Sequence, residues 1–121
     1  MKPWVVLKFG GTSVSSASRW ETIAKILRDR VSEGLRPVVV CSALSQVSNQ
    51  LEAAFERAMT GESPLAFVDD LRRRHQRFAA ELEIEVGGDI DDECARLAER
   101  LTGVSLLREA SPRVRAEVLA A

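Results

Sequence analysis

The sequence predicts an α/β protein: one βαβ unit followed by a long helical remainder. Three observations predict it. Two short apolar runs occur, the first from Val5 to Phe9 with one lysine in it and the second, continuous, from Val38 to Cys41. Between them lies a segment of 3.6-residue periodicity, and after them come several more such segments. Apolar runs of this length read as strands buried on both faces, as in a parallel sheet. A strand–helix–strand order at this spacing makes a right-handed crossover, so both strands end at the same sheet edge.

The first run, Val5-Val6-Leu7-Lys8-Phe9, breaks into Gly10-Gly11 and then Thr12-Ser13-Val14. Adjacent glycines let the backbone turn sharply and let another group come close to its N–H donors. A lysine beside such a turn adds positive charge at the same place. Together these features describe a phosphate cradle. The same residues are also compatible with an ordinary glycine turn after a strand.

The helix that follows has N-cap candidates in Ser15, Ser16 and Ser18. Trp20, Ile23, Ala24, Leu27 and Val31 share one face, while Arg28, Asp29, Arg30 and Glu33 fill much of the rest. Gly34 stands where a glycine ends a helix, and Pro37 prevents continuation. After the second strand, the loop from Ser42 to Asn49 belongs at the same edge as the glycine turn, where open α/β sheets bind ligands. Its hydroxyl and amide side chains suit a polar ligand. They equally suit capping of the next helix, with Ser48 or Asn49 as the N-cap.

Leu51, Ala54, Phe55, Ala58 and Met59 mark a helix closed by Gly61 and Pro64. Val68, Leu71, His75, Phe78 and Leu82 mark another. Arg72, Arg73, Arg74 and Arg77 lie mostly off that stripe, with acids nearby and no interleaved aromatics. They read as a solvated face and not as a nucleic-acid contact. His75 reads as a packed or boundary residue. Gly87-Gly88 breaks the pattern, Asp89 is a capping candidate, and Ile90, Cys94, Leu97 and Leu101 form the next buried stripe. The acids Asp89, Asp91, Asp92 and Glu93 lack calcium-loop spacing and fit the positive end of a helix dipole, so no metal site is expected. Thr102-Gly103 reads as a break before the apolar segment Val104–Leu107. Ser111-Pro112 is a strong helix start, leading through Val114, Val118 and Leu119.

The 121 residues suffice for one modest domain, and a net charge of −1 steers the chain to neither nucleic acid nor an anionic membrane. No apolar run approaches a membrane span, and Lys8 interrupts the only N-terminal apolar segment, so a signal peptide is not expected. Cys41 and Cys94, far apart on a strand and a helix, are expected as buried free thiols, and the expected location is cytoplasmic.

At this point the residues carry a resemblance. Lys8-Phe9-Gly10-Gly11-Thr12-Ser13-Val14 resembles the opening signature of aspartate kinases, within the amino-acid kinase superfamily. Val38 to Ala43, with Val47-Ser48-Asn49, resembles that family's second block, and Leu51–Leu107 resembles its helical excursion. The resemblance covers the whole chain. The first eighty residues also resemble the kinase half of fused aspartate kinase–diaminopimelate decarboxylase proteins.

The implied fold is the N-terminal part of the amino-acid kinase (carbamate kinase-like) three-layer α/β/α sandwich, with parallel strands and a helical excursion. The implied domain is a partial one, residues 1–121. It stops about where the family has a Gly-Glu pair, before a nucleotide-binding half and regulatory domains. The implied reaction is transfer of the ATP γ-phosphoryl group, with Mg2+, to the side-chain carboxylate of L-aspartate, the first step toward lysine, threonine and methionine. The full-length protein is implied to be a homo-oligomer, and the segment alone to be inactive. Carried over by position, Lys8 is the catalytic cation on the transferring phosphates. Gly10 and Gly11 bind those phosphates through backbone N–H groups. Thr12, Ser13, Ser42, Ala43 and Ser48 line the substrate pocket. Ser48 stands where the family has threonine, and keeps the hydroxyl. Gln46 stands where many members have glycine or alanine, which leaves the loop conformation open. Another amino-acid kinase, or a non-enzymatic assembly module, are the alternative readings.

Overall fold

The computed structural model describes residues 1–121. Its regular elements are β1 (Trp4–Phe9), α1 (Gly11–Val14), α2 (Ala17–Ser32), β2 (Arg36–Cys41), α3 (Val47–Met59), α4 (Leu65–Glu81), α5 (Asp89–Leu107) and α6 (Pro112–Leu119). They fall into two compact units, Met1–Val47 and Ser48–Ala121.

The first unit is the βαβ unit. β1 and β2 pair in parallel, with Trp4 opposite Arg36, Val6 opposite Val38, Lys8 opposite Val40 and Phe9 opposite Cys41. The Arg36 amide donates to Pro3 and the Ser42 amide to Phe9. In a parallel ladder, the donors alternate along the strand, so the nitrogen of Pro37 points away from β1 and its missing hydrogen costs no ladder bond. α2 makes the crossover and ends as expected. Gly34 has φ +83, its amide donates to Val31, and the Leu35 amide reaches back to Arg30. This double bond to the last turn is the Schellman arrangement, which needs a residue with positive φ at that position.

Two expectations fail here. The strands are not buried on both faces: Val6 is 67% exposed, Val38 41% and Val40 44%. A two-stranded sheet has one crossover helix, which shields only the face of Val5, Leu7 and Phe9. Cys41, the last residue of β2 and opposite Phe9, is exposed and not buried. Val31, in the last turn of α2, is likewise exposed, while Ile23 is the fully buried residue of its stripe.

The second unit is helical, and its core comes from the predicted stripes. Leu51, Ala54, Phe55 and Ala58 of α3, Val68 of α4, and Cys94, Leu97 and Leu101 of α5 are all buried. Four acid–arginine contacts anchor the arginine-rich α4: Arg72 pairs with Asp69 and with Asp91 of α5, and Arg73 pairs with Asp69 and Asp70. His75 bonds locally, its Nδ1–H donating to the Leu71 carbonyl at 2.8 Å.

Three boundaries differ from expectation. α3 begins at Val47, so Ser48 and Asn49 lie inside its first turn and do not cap it. Gly88, not Asp89, is the cap of α5; Asp89 is its first helical residue. Thr102-Gly103 does not break α5, which continues to Leu107. A mid-helix glycine costs about 1 kcal/mol against alanine. Burial of Leu97, Leu101 and Val104 on one stripe outweighs it. Ser111 caps α6 as predicted, its Oγ accepting from the Val114 amide at 3.2 Å, with Pro112 at the first position.

Candidate functional site

The site lies at the carboxyl edge of the two strands, within the first unit. β1 delivers Lys8 and Phe9 there, and the chain turns at Gly10 directly into the single-turn helix α1. Gly10 has φ −78 and ψ 175, an extended conformation open to any residue. Neither Gly10 nor Gly11 has a positive φ. The turn therefore does not use the rotational freedom of glycine, one of the two roles the sequence reading gave the pair; close approach is the other. A Cβ on Gly11 would stand 3.4 Å from the Ala43 carbonyl oxygen, the Ser42 Oγ and the Ser45 Cα. A Cβ on Gly10 would meet nothing within 4 Å, which leaves the ground above the turn clear.

α1 begins with Gly11, Thr12 and Ser13, whose amides precede the first intrahelical bond, from Val14 to Gly10. The opening N–H groups of a helix have no acceptor within it. Lys8 sits on the sheet face away from α2, exposed, beside Val40, and makes neither an ion pair nor a hydrogen bond to another side chain. A cation and a fan of free amides at one strand end form an anion-receptive corner.

The second loop closes onto this turn, as the parallel topology predicted. The Ser42 amide continues the ladder to Phe9, and the Ser42 Oγ donates to the Ala43 carbonyl at 2.7 Å. Ser15 joins the two loops. Its Oγ accepts from the Ser45 amide at 2.7 Å and donates to the Gly11 carbonyl. Trp20 closes the other end of α1, with its Nε1 donating to the Val14 carbonyl at 2.8 Å. Sequence reasoning treated Ser15 only as a capping candidate and Trp20 only as an apolar stripe residue. No local signal marks either bridge; a hydroxyl four residues after Gly11 is the nearest hint for Ser15.

The structure therefore brings Lys8, Gly10, Gly11, Thr12, Ser13, Ser42 and Ala43 to one edge of the first unit. Ser48 opens the second unit, in the first turn of α3, and its side chain is exposed. Gln46, just before α3, takes φ 68, a left-handed conformation that favours glycine. This resolves the loop conformation that the glutamine left open: the backbone adopts the glycine-like turn with a glutamine in it.

No helix is long and apolar enough to cross a membrane. The chain matches the amino acid kinase family over residues 3–110. It is similar to the chloroplastic aspartokinase 2 of Arabidopsis thaliana, 35% identical over 114 residues, which are 91% of this chain and 20% of that protein. The aspartokinase of Chlamydia trachomatis is 39% identical over 83 residues, 68% of this chain and 18% of its own length. A chloroplastic bifunctional aspartokinase/homoserine dehydrogenase of Daucus carota is 32% identical over 99 residues, 81% of this chain and 10% of its own length. The chain spans about a fifth of the first of these relatives. With the glycine turn, the parallel strands and the paired loop all within the matched residues, the chain belongs to the amino acid kinase family.

Proposed function

We propose that this chain supplies the phosphate turn and the facing hydroxyl loop of an aspartate kinase, which transfers the ATP γ-phosphoryl group to the side-chain carboxylate of L-aspartate. The observation that carries the reading is the clasped pair of loops at the strand ends. Free amides of Gly11, Thr12 and Ser13, an unpaired Lys8 and clear space above Gly10 face one edge. Phosphoryl transfer asks a protein mainly for positioning and charge neutralisation, and these groups offer both. Lys8 neutralises charge on the transferring phosphate, and the turn amides hold its oxygens. The hydroxyls of Thr12, Ser13 and Ser42, with Ala43 beside them, border the acceptor carboxylate.

The residues fit a phosphate well, because they combine donors with room. They include no carboxylate to hold a metal ion; Mg2+ carried by the nucleotide would screen the charge of its phosphates. By the same reading the 121-residue chain alone turns over no aspartate, the complete enzyme is a cytoplasmic homo-oligomer, and the acyl phosphate feeds lysine, threonine and methionine synthesis.

The test of mechanism is Lys8→Ala in the full-length enzyme carrying this segment, assayed by coupled ADP release. Loss of one charge-stabilising donor lowers kcat about a hundredfold or more; unchanged turnover removes Lys8 from the mechanism. Offering L-aspartate and L-glutamate side by side separates aspartate kinase from another amino-acid kinase. Robust turnover by the 121-residue chain would overturn its assigned inactivity, and self-association without nucleotide binding would favour an assembly module.

A further inference from the structure

The second unit carries a groove, of about 400 Å3, that the kinase reading does not use. α3 contributes Gln50, Ala53 and Arg57, which lie on one face at spacings of three and four residues, and α4 contributes Phe67, Asp70, Arg74 and Arg77 on the same rule. The volume lies within the range of small-molecule sites. Its chemistry is lopsided: three arginines line it against the single carboxylate of Asp70. Asp70 is engaged 3.8 Å from Arg73. Arg57 meets Glu62 only at 4.0 Å, the outer limit of an ion pair. Arg77 has no acid partner, unlike Arg72 and Arg73 on the same helix. Arg74 donates to the Gln50 Oε1 at 3.4 Å, which draws its guanidinium toward α3 and orients the Gln50 amide.

The positive charge sits at the two ends of the groove. Gln50, Arg74 and Arg77 hold one end, and Arg57 with Phe67 the other. Gln50 and Arg57 are seven residues apart on α3, so the ends are separated by roughly 10 Å. Between them the wall comes from Ala53, Ala54 and Leu71, with Asp70 of α4 the one carboxylate among them. Guanidinium groups bind phosphate and carboxylate through paired N–H donors, and two of them three residues apart on a helix can address one anionic group together.

We propose that this groove is a binding site for a small organic anion of at least two negative charges, anchored at the Arg74–Arg77 end. Its ligand class is the phosphate or polycarboxylate oxyanion. The site is distinct from the glycine turn, which lies in the other unit, and does not depend on the kinase reading.

The test titrates the 121-residue chain, 15N-labelled, with inorganic pyrophosphate and with citrate at constant ionic strength, followed by residue-resolved NMR. Expected are saturable shifts at the Arg74 and Arg77 Nε–Hε groups, the Gln50 side-chain amide and the α3–α4 backbone. Arg74→Gln with Arg77→Gln weakens binding at least tenfold, while Arg28→Gln, on α2, leaves it within twofold. Preference for pyrophosphate over citrate identifies a phosphate site, and the reverse a carboxylate site. Shifts confined to Gly10–Ser13, or non-saturating shifts spread evenly over all arginines, overturn the proposal. The wild-type shift map decides by itself if the double variant loses its fold.

Discussion

Replacing Ser15 with alanine isolates the one side chain that ties the two loops of the candidate site together. The Ser15 Oγ accepts the Ser45 amide at 2.7 Å, across thirty residues of sequence, and returns its own hydrogen to the Gly11 carbonyl. The second bond is a helix back-bond of small net value, because a water can replace it. The first is the costly one to remove. Ser45 is half-buried, so its N–H loses an acceptor where solvent replaces it poorly, and a donor stranded in this way costs about 1–3 kcal/mol. Alanine has a higher helix propensity than serine, but residue 15 lies between α1 and α2, so no helical gain offsets the loss. Amide hydrogen exchange reads the effect locally. Since 1.4 kcal/mol is a factor of ten, protection of the Ser45 amide falls about tenfold to a hundredfold. Amides around Leu97 and Leu101, in the other unit, keep theirs. Unchanged protection at Ser45 would refute the bridge and with it the argument that Ser15 holds the loops in register.

Three further outcomes test other parts of the fold. Leu101 is fully buried on α5, so Leu101→Ala lowers stability by about 3 kcal/mol through lost burial and a residual cavity; a urea-unfolding change below about 1 kcal/mol would show that this stripe is not the core of its unit. The hydrogen bond from Lys25, 2.8 Å away, holds the Asp29 carboxyl below its ordinary value. A depressed folded pKa contributes stability that is present above the unfolded carboxylate pKa of about 3.9 and is lost as pH falls through the folded value. Asp29→Asn is therefore slightly destabilising at pH 7 and indistinguishable from the parent in strong acid, and a difference that persists at pH 2 contradicts the pairing. The two thiols should separate cleanly: Cys41 is exposed, whereas burial pushes the Cys94 thiol up, with Arg72 beside it acting in opposition. At pH 8, Ellman's reagent then labels Cys41 in the native chain and Cys94 only after denaturation; equal rates would disprove the burial.

Most of the site was legible because it is local in sequence. The run from Lys8 to Val14 carries its strand, its turn and its donors in seven consecutive residues, and a parallel crossover leaves only one edge at which the Ser42 loop can emerge. What was illegible depends on contacts between distant residues. That the turn needs no glycine-only rotation was not legible, and the atoms that would touch a Cβ on Gly11 belong to residues 42–45, far away in sequence. The continuity of α5 through Gly103 was misread because a local propensity of about 1 kcal/mol was weighed without the buried stripe opposing it.

By itself, the sequence determined the element types, the parallel pairing, the Gly34 and Ser111 helix ends and the family, since each rests on residue chemistry within a few positions. Only the tertiary structure decided which residues are covered and which loops are tied. It left Val6, Val38 and Val40 in the open, because a sheet of two strands with one crossover helix has one shielded face. It made Ser15 the clasp of the site, because a hydrogen bond spanning thirty residues exists only once the crossover has brought both loops to the same edge.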